Sequence, residues 1–188
     1  MIFYSDQIIN DTIYNEPIDN ILESIEYFRI SYVYYILKHS IRSISHLYTT
    51  NILDDTTNVI AFYCMDTQFS IENCPSVVIY RKCNHVNEIV YYILLACTKN
   101  SFRGNGYASI LLHGLQKRIH AENLYTKKTV KLVTSSVEKS IDFYEKNGFV
   151  LTGESISEYP ELMKYEKYED GKKYYVMECT MNNNISRL

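Results

Sequence analysis

The chain has 188 residues, 46% of them hydrophobic and 22% charged, which suits one folded domain with a core of its own and excludes a disordered chain. A formal net charge of −3 excludes an ordinary nucleic-acid binder, which needs a basic surface for phosphate contacts. No stretch approaches the roughly 18 apolar residues of a membrane span; the best candidate, Ile30 to Leu37, is short and flanked by Arg29 and Lys38.

At the start, Met1-Ile-Phe-Tyr gives way at once to Ser5-Asp-Gln, without the charged and then apolar regions of a signal peptide. From Ile18, the apolar positions Ile21, Leu22, Ile25, Phe28 and Tyr32 fall on one helical face, and Ile41, Ile44 and Leu47 continue at similar spacing. One long helix or two consecutive ones are expected before residue 50, with a strand over Tyr32 to Leu37 as the alternative. Three strand-like runs follow, Val59 to Met65, Ser76 to Lys82 and Glu88 to Cys97, and the short link Asn84-His85-Val86-Asn87 makes the last two a hairpin.

Next come two glycines, Gly104 and Gly106, and then a helix marked by Ala108, Leu111, Leu115 and Ile119. Thr129 to Thr134 reads as a strand, and Ser135-Ser-Val-Glu138 as a capping box that opens a further helix. Asn147-Gly148 supplies a left-handed stop for that helix. Phe149 to Glu154 and Tyr174 to Met181 are expected as closing strands, and Asn182 to Leu188 as a polar tail. Helices, antiparallel strands, then strand-helix-strand-helix and two more strands amount to a mixed α/β sheet with helices on both faces.

Five cysteines, Cys64, Cys74, Cys83, Cys97 and Cys179, include no Cys-x-x-Cys pair. Free, mostly buried thiols in a reducing cytoplasmic compartment are expected. The grouping Cys64, Cys74, Cys83 and His85 matches no common zinc spacing, so no metal is expected, and a small metal module stands only as an alternative.

The segment Arg103-Gly-Asn-Gly-Tyr-Ala108 has the chemistry of an anion site. A helix start presents unpaired N–H groups and about half a positive charge. Gly104 and Gly106 let the backbone approach a pyrophosphate, and Arg103, with Lys99 nearby, adds fixed charge. A Walker loop would end in Gly-Lys-Ser/Thr where this chain has Gly-Tyr-Ala, and the Rossmann fingerprint would need a glycine or alanine where Ser109 stands. A tight strand-to-helix turn is the plainer alternative.

Arg103-x-x-Gly106-x-Ala108, followed by Ser140-Ile-Asp-Phe-Tyr-Glu-Lys-Asn-Gly-Phe149, resembles the coenzyme-A loop and tyrosine helix of the GNAT superfamily of N-acetyltransferases. The residue-level likeness covers Glu88 to about Met181, while residues 1–57 fit only by the order of their elements. The resemblance implies one domain whose mainly antiparallel sheet is splayed in the middle. It also implies an acetyl-CoA-dependent acyltransferase acting on a primary amine, either a small molecule or a protein lysine or N-terminus, by direct attack in a ternary complex. Neither nucleic acid nor membrane is implied as a partner.

By the same resemblance, Tyr144 is the acid for the departing thiolate and Glu88 the candidate base. Ala96, Cys97 and Thr98 offer backbone to the pantetheine arm, and Arg103, Gly104, Asn105, Gly106, Tyr107, Ala108 and Ser109 cradle the pyrophosphate. The tyrosine role suits the chemistry, since a thiol titrates near 8.5 and a phenol near 10. Many GNAT members carry an asparagine seven residues before this tyrosine; here it is Val137, with Ser135, Ser136 or Ser140 as possible replacements. The stretch Thr98 to Phe102 also lacks the proline often found there.

Between Ser155 and Lys173, Glu158, Glu161, Glu166, Glu169 and Asp170 are nearly balanced by Lys164, Lys167, Lys172 and Lys173, so a solvated charged loop is expected rather than an acidic acceptor rim. A non-catalytic acyl-CoA-binding or interaction domain is the alternative function.

Overall fold

In the computed structural model, residues 21–23, 46–65, 71–165 and 173–181 are described. The remaining apolar positions of the N-terminal reading, the tail from Asn182, and Glu166, Lys167, Glu169, Asp170 and Lys172 lie outside them. Two compact units divide the chain, residues 1–80 with 95–118, and residues 81–94 with 119–188.

In the first unit, strand β1 (Ile21–Glu23) pairs antiparallel with β2 (Val59–Tyr63), Ile21 opposite Tyr63. The helix expected over Ile21 and Leu22 is therefore corrected to strand. Its three residues gain ladder bonds from a partner about forty positions away, which outweighs a local apolar period. Helix α1 (His46–Asp54) buries Thr49, Ile52 and Leu53, but Leu47, expected on its apolar face, is 61% exposed. Asn58 closes this helix by donating its side-chain amide to the Ile52 carbonyl at 2.7 Å.

Strand β2 also pairs antiparallel with β3 (Ser76–Asn84), Val59 opposite Tyr80. Ile60, Ala61 and Phe62 on β2, and Val77, Val78 and Ile79 on β3, are almost fully buried. Such runs are apolar on both faces because both faces are covered. Helix α2 (Tyr107–Glu122) leaves Ala108 half-buried but buries Leu111, Leu115 and Ile119, the rest of the expected stripe, together with Leu112. Each of these leucines and the isoleucine contributes about 1.5–3 kcal/mol through burial.

The second unit is built on β4 (Glu88–Thr98), which begins there after the turn His85-Val86-Asn87, with the His85 N–H donating to the Glu88 carbonyl at 2.9 Å. Strand β4 runs parallel to β5 (Thr129–Val137), from Glu88 opposite Thr129 to Ile93 opposite Thr134. Strand β5 pairs antiparallel with β7 (Tyr174–Met181), which also pairs with β6 (Val150–Leu151). The strand order is β1-β2-β3-β4-β5-β7-β6, a mixed and mainly antiparallel sheet.

Two expectations fail in this unit. The capping box at Ser135 to Glu138 does not open a helix: β5 runs through Val137, with Ser135, Ser136 and Val137 opposite Val176, Tyr175 and Tyr174. Helix α3 (Ile141–Lys146) starts later, after a single 3-10 turn at Glu138–Ser140. Pairing with β7 outweighs the local cap. The strand expected over Phe149 to Glu154 shrinks to β6, because Gly153 takes φ +76° and turns the chain away after Thr152 donates to the Val176 carbonyl. A four-residue helix, α4 (Pro160–Met163), stands in the connection read as loop.

Candidate active site

The glycine loop lies in the first unit. Gly104 and Gly106 hold φ of +82° and +78°, the left-handed region that side chains disfavour. A Cβ built on either would meet nothing within 4 Å, so backbone conformation selects glycine here and leaves the space above the loop open. The Gly106 carbonyl accepts the first helical bond, from Ile110 at 3.0 Å, which makes Gly106 the cap residue of α2. The N–H groups of Tyr107, Ala108 and Ser109 thus form the helix start, where geometry gives them no intrahelical acceptor.

Side chains brace the loop from below. Asn105 donates to the Phe102 carbonyl at 3.2 Å. Tyr107 stacks on Tyr63 with centroids 5.6 Å apart and meets Phe102 edge-on at 5.9 Å. Arg103 is exposed and its Nε donates to the Thr98 carbonyl at 3.3 Å, which joins the loop to the end of β4. Ala96 and Thr98 are half-buried, Cys97 is buried, and the Thr98 hydroxyl lies 2.8 Å from that of Ser76.

Lys99 does not stand beside the loop as a free charge. It is buried, its Nζ donates to the Glu72 carbonyl at 2.7 Å, and it lies 5.9 Å from the Phe102 ring centroid. The cysteines are all free thiols, with Cys64, Cys74 and Cys97 buried, and no cluster able to hold a metal occurs among the described residues.

Tyr144, Ser140 and Glu88 lie in the second unit. Tyr144 projects from α3 and is buried between Phe143 and Phe149, with ring centroids 5.0 Å and 5.4 Å away. Burial pushes its phenol above the ordinary value, and a hydrogen bond with the Thr134 side chain opposes the rise. Ser140 is half-buried at the N-cap of α3 and makes no side-chain capping bond.

Glu88 opens β4 and lies 3.3 Å from Lys131, which also reaches Glu178 at 3.6 Å. Glu88 and Tyr144 are not brought together. Glu88 faces Thr129 on the first rung, whereas the Tyr144 partner Thr134 faces Ile93, about 17 Å further along the strand. Thr134 went unnoticed in the sequence; a lone polar residue ending the apolar alternation Val130, Leu132 was the signal available.

Residues 77–159 match the family described as the acetyltransferase (GNAT) domain. No curated protein matches the sequence. Among solved structures, Tetrahymena GCN5 is similar, at 14% identity over 85% of this chain and 89% of that one, with a TM-score of 0.58. Arabidopsis thaliana Naa50, in complex with the bisubstrate analogue CoA-Ac-MVNAL, is 16% identical over 86% and 99%, with a TM-score of 0.55. The ribosomal-protein-S18-alanine N-acetyltransferase from Escherichia coli is 11% identical over 89% and 97%, with a TM-score of 0.60. At such identities these likenesses establish the fold. Residues 77–159 thus match the GNAT acetyltransferase domain, and the chain shares the fold of these solved structures.

Proposed function

We propose that this protein is an N-acetyltransferase that moves an acetyl group from acetyl-CoA to a primary amine in a ternary complex, working as a single domain. The observation that carries this reading is the loop 103–109. Two left-handed glycines, open space above them and a helix start suit a pyrophosphate, within residues that match the GNAT domain.

Arg103 and the N–H groups of Gly104 to Ser109 would hold the pyrophosphate, with Ser140 as a further contact. The backbone of Ala96, Cys97 and Thr98 would take the pantetheine arm as an added strand. Support comes from the β4–β5 register, which ends at Ile93 although β4 continues to Thr98. Acetyl-CoA supplies an activated acyl group when bound. Tyr144 then holds the proton for the departing sulfur, and burial keeps it a neutral phenol at working pH. Glu88, ion-paired with Lys131 and far along the strand from Ile93, acts on the acceptor's proton through a water relay.

A peptide amine is the first acceptor class to examine. The Escherichia coli neighbour is named for a protein alanine, and the Arabidopsis neighbour is bound to a peptide-bearing analogue. The test begins with calorimetric titration of acetyl-CoA into wild type and Arg103→Glu. Saturable binding, weakened about a hundredfold by the charge reversal, is expected from loss of a charge-assisted contact. Acetylation of peptide N-termini, lysines and small amines is then measured. A folded wild type that binds no acetyl-CoA would overturn the reading and leave the glycines as a turn.

A further inference from the structure

Lys99 leads from β4 into the glycine loop and is bonded through its N–H, its carbonyl and its side chain. The N–H donates to the Pro75 carbonyl at 2.9 Å and Nζ to the Glu72 carbonyl at 2.7 Å, so backbone and side chain both hold the segment that precedes β3. The Lys99 carbonyl accepts from the Phe102 N–H at 2.9 Å and opens the 3-10 turn Asn100–Phe102. Phe102 in turn receives the Asn105 amide on its carbonyl at 3.2 Å and sets its ring edge-on to Tyr107. Residues 72–75, Lys99, Phe102 and the loop thus form one line of contacts, all within the first unit.

A turn needs only the backbone bonds of its first residue, which most residue types supply. The long side chain is a separate matter. Lys99 is 5% exposed, with Nζ 5.9 Å from the Phe102 ring centroid. Burying a lysine is costly, and such residues are seldom taken out of water without a partner. Here the side chain ties the turn sideways to a carbonyl 27 positions earlier, next to the ring that supports Tyr107, the first residue of α2. Loop conformation is where this tie matters. Glycine takes either sign of φ with similar ease, so the values of +82° at Gly104 and +78° at Gly106 must be imposed from the two ends of the loop. Helix α2 holds one end and Lys99 the other. A site that is already formed loses less ordering entropy when its ligand arrives.

We propose that Lys99 is a positioning residue for acetyl-CoA: its side chain, held on the Glu72 carbonyl, keeps Gly104 and Gly106 left-handed and the loop ready for the pyrophosphate. This rests on the reading of the loop as the coenzyme site. Lys99 acts through the loop and not on the coenzyme, so its effect is confined to donors that carry a pyrophosphate. It reaches binding rather than turnover.

The test compares wild type with Lys99→Met, which keeps the length and loses the donor, and with Lys99→Arg, which keeps a cationic donor. In coenzyme-free protein, backbone NMR order parameters at Gly104 and Gly106 are expected to fall from about 0.85 to below about 0.6 in Lys99→Met. Its Kd and KM for acetyl-CoA should rise about tenfold, the scale of one lost hydrogen bond to a charged group. Its kcat at saturating acetyl-CoA should stay within about twofold of wild type. KM for S-acetylpantetheine, which lacks the pyrophosphate, should be unchanged, and Lys99→Arg should recover most of the acetyl-CoA affinity.

Rigid glycines in Lys99→Met overturn the proposal whatever happens to affinity. An equal loss with S-acetylpantetheine overturns it as well, because a general loss of structure ignores the pyrophosphate, and so does an arginine variant as impaired as the methionine. Where Lys99→Met does not fold, Lys99→Gln takes its place in every measurement. A wild type that binds no acetyl-CoA would overturn the coenzyme reading, whereas rigid glycines in Lys99→Met beside normal wild-type binding would overturn the role of Lys99 alone, so the two failures are distinguishable.

Discussion

Gly148 holds φ +85° immediately after α3, and three bonds close the helix around it. The Asn147 side chain donates to the Phe143 carbonyl at 2.6 Å, Gly148 N–H to Glu145 at 3.0 Å, and Phe149 N–H to Tyr144 at 3.1 Å. The last two are the paired bonds of a Schellman stop, and the Phe149–Tyr144 ring contact is its usual hydrophobic partner. The proposed acid is therefore fixed by the residues that end its own helix. A Cβ at Gly148 would meet only Cys179 Sγ, at an ordinary 3.8 Å, so Gly148→Ala suffers from backbone strain rather than crowding. The expected loss is about 1–2 kcal/mol, with Gly148→Asn milder, read as a shift of the urea midpoint at unchanged slope. This stop was legible in the sequence because its demand is local: only a glycine or asparagine sits easily at that φ. The Thr134 contacts were not legible, since Ile93 is 41 positions away and nothing in the string shows where two strands stop pairing. The burial of Lys99 was hidden for the same reason, as its acceptor, the Glu72 carbonyl, lies 27 positions earlier.

At the scale of elements, the end of α2 shows how a helix is tied to a strand. Its last carbonyls lack helical partners, and Asn123, buried just beyond, donates its amide to the Ile119 carbonyl at 2.7 Å and to the Tyr91 hydroxyl at 3.0 Å. Tyr91 in turn donates to Glu122 at 3.3 Å and lies beneath the Lys82 ammonium, 5.3 Å from its ring centroid. The Lys82–Glu122 ion pair, 3.8 Å long and well exposed on both sides, contributes little beside these buried bonds. Asn123→Ala is expected to lower the unfolding free energy by about 1–3 kcal/mol, since it leaves a carbonyl and a hydroxyl short of a partner. Combined with Tyr91→Phe, the loss should fall short of the sum of the single changes, a coupling that urea denaturation of all four proteins would measure. Elements carried by long apolar periods, such as α2, β3 and β4, were legible in the sequence. Among the misread stretches are β1 and the end of β5. Each is a short stretch whose strand state comes from a partner far along the chain, while its local pattern suggests a helix.

For the molecule as a whole, the buried ionisable groups set a direction for stability against pH. Burial raises the Tyr92 phenol from 10.0 to about 12, helped by Cys83, Glu88 and Glu161 nearby. Burial also raises Tyr144, Tyr159 and the thiols of Cys74 and Cys83, with Glu154 adding to the rise at Tyr159. Each of these acids is neutral in the native state over a range where the unfolded chain has already released the proton. The sign follows directly: above the unfolded value the native state binds more protons, so stability falls as pH rises. It is retained in full below about pH 8, where thiols and phenols are protonated in both states. The decline starts with the thiols, whose ordinary value is 9.0, and steepens with the phenols at 10.0. Each participating group removes about 1.4 kcal/mol per pH unit while it titrates, and Tyr92, only 7% exposed, accounts for about 3 kcal/mol across its whole range. Urea unfolding at pH 7.5, 9 and 10.5, values chosen to bracket the thiol and phenol ranges, should therefore show a plateau followed by an accelerating loss. Tyr92→Phe should lose less than wild type over the last interval, because its ring is buried without a phenol to ionise. A stability curve that stays level through pH 10.5 would mean that these side chains are as well solvated in the native chain as in the unfolded one.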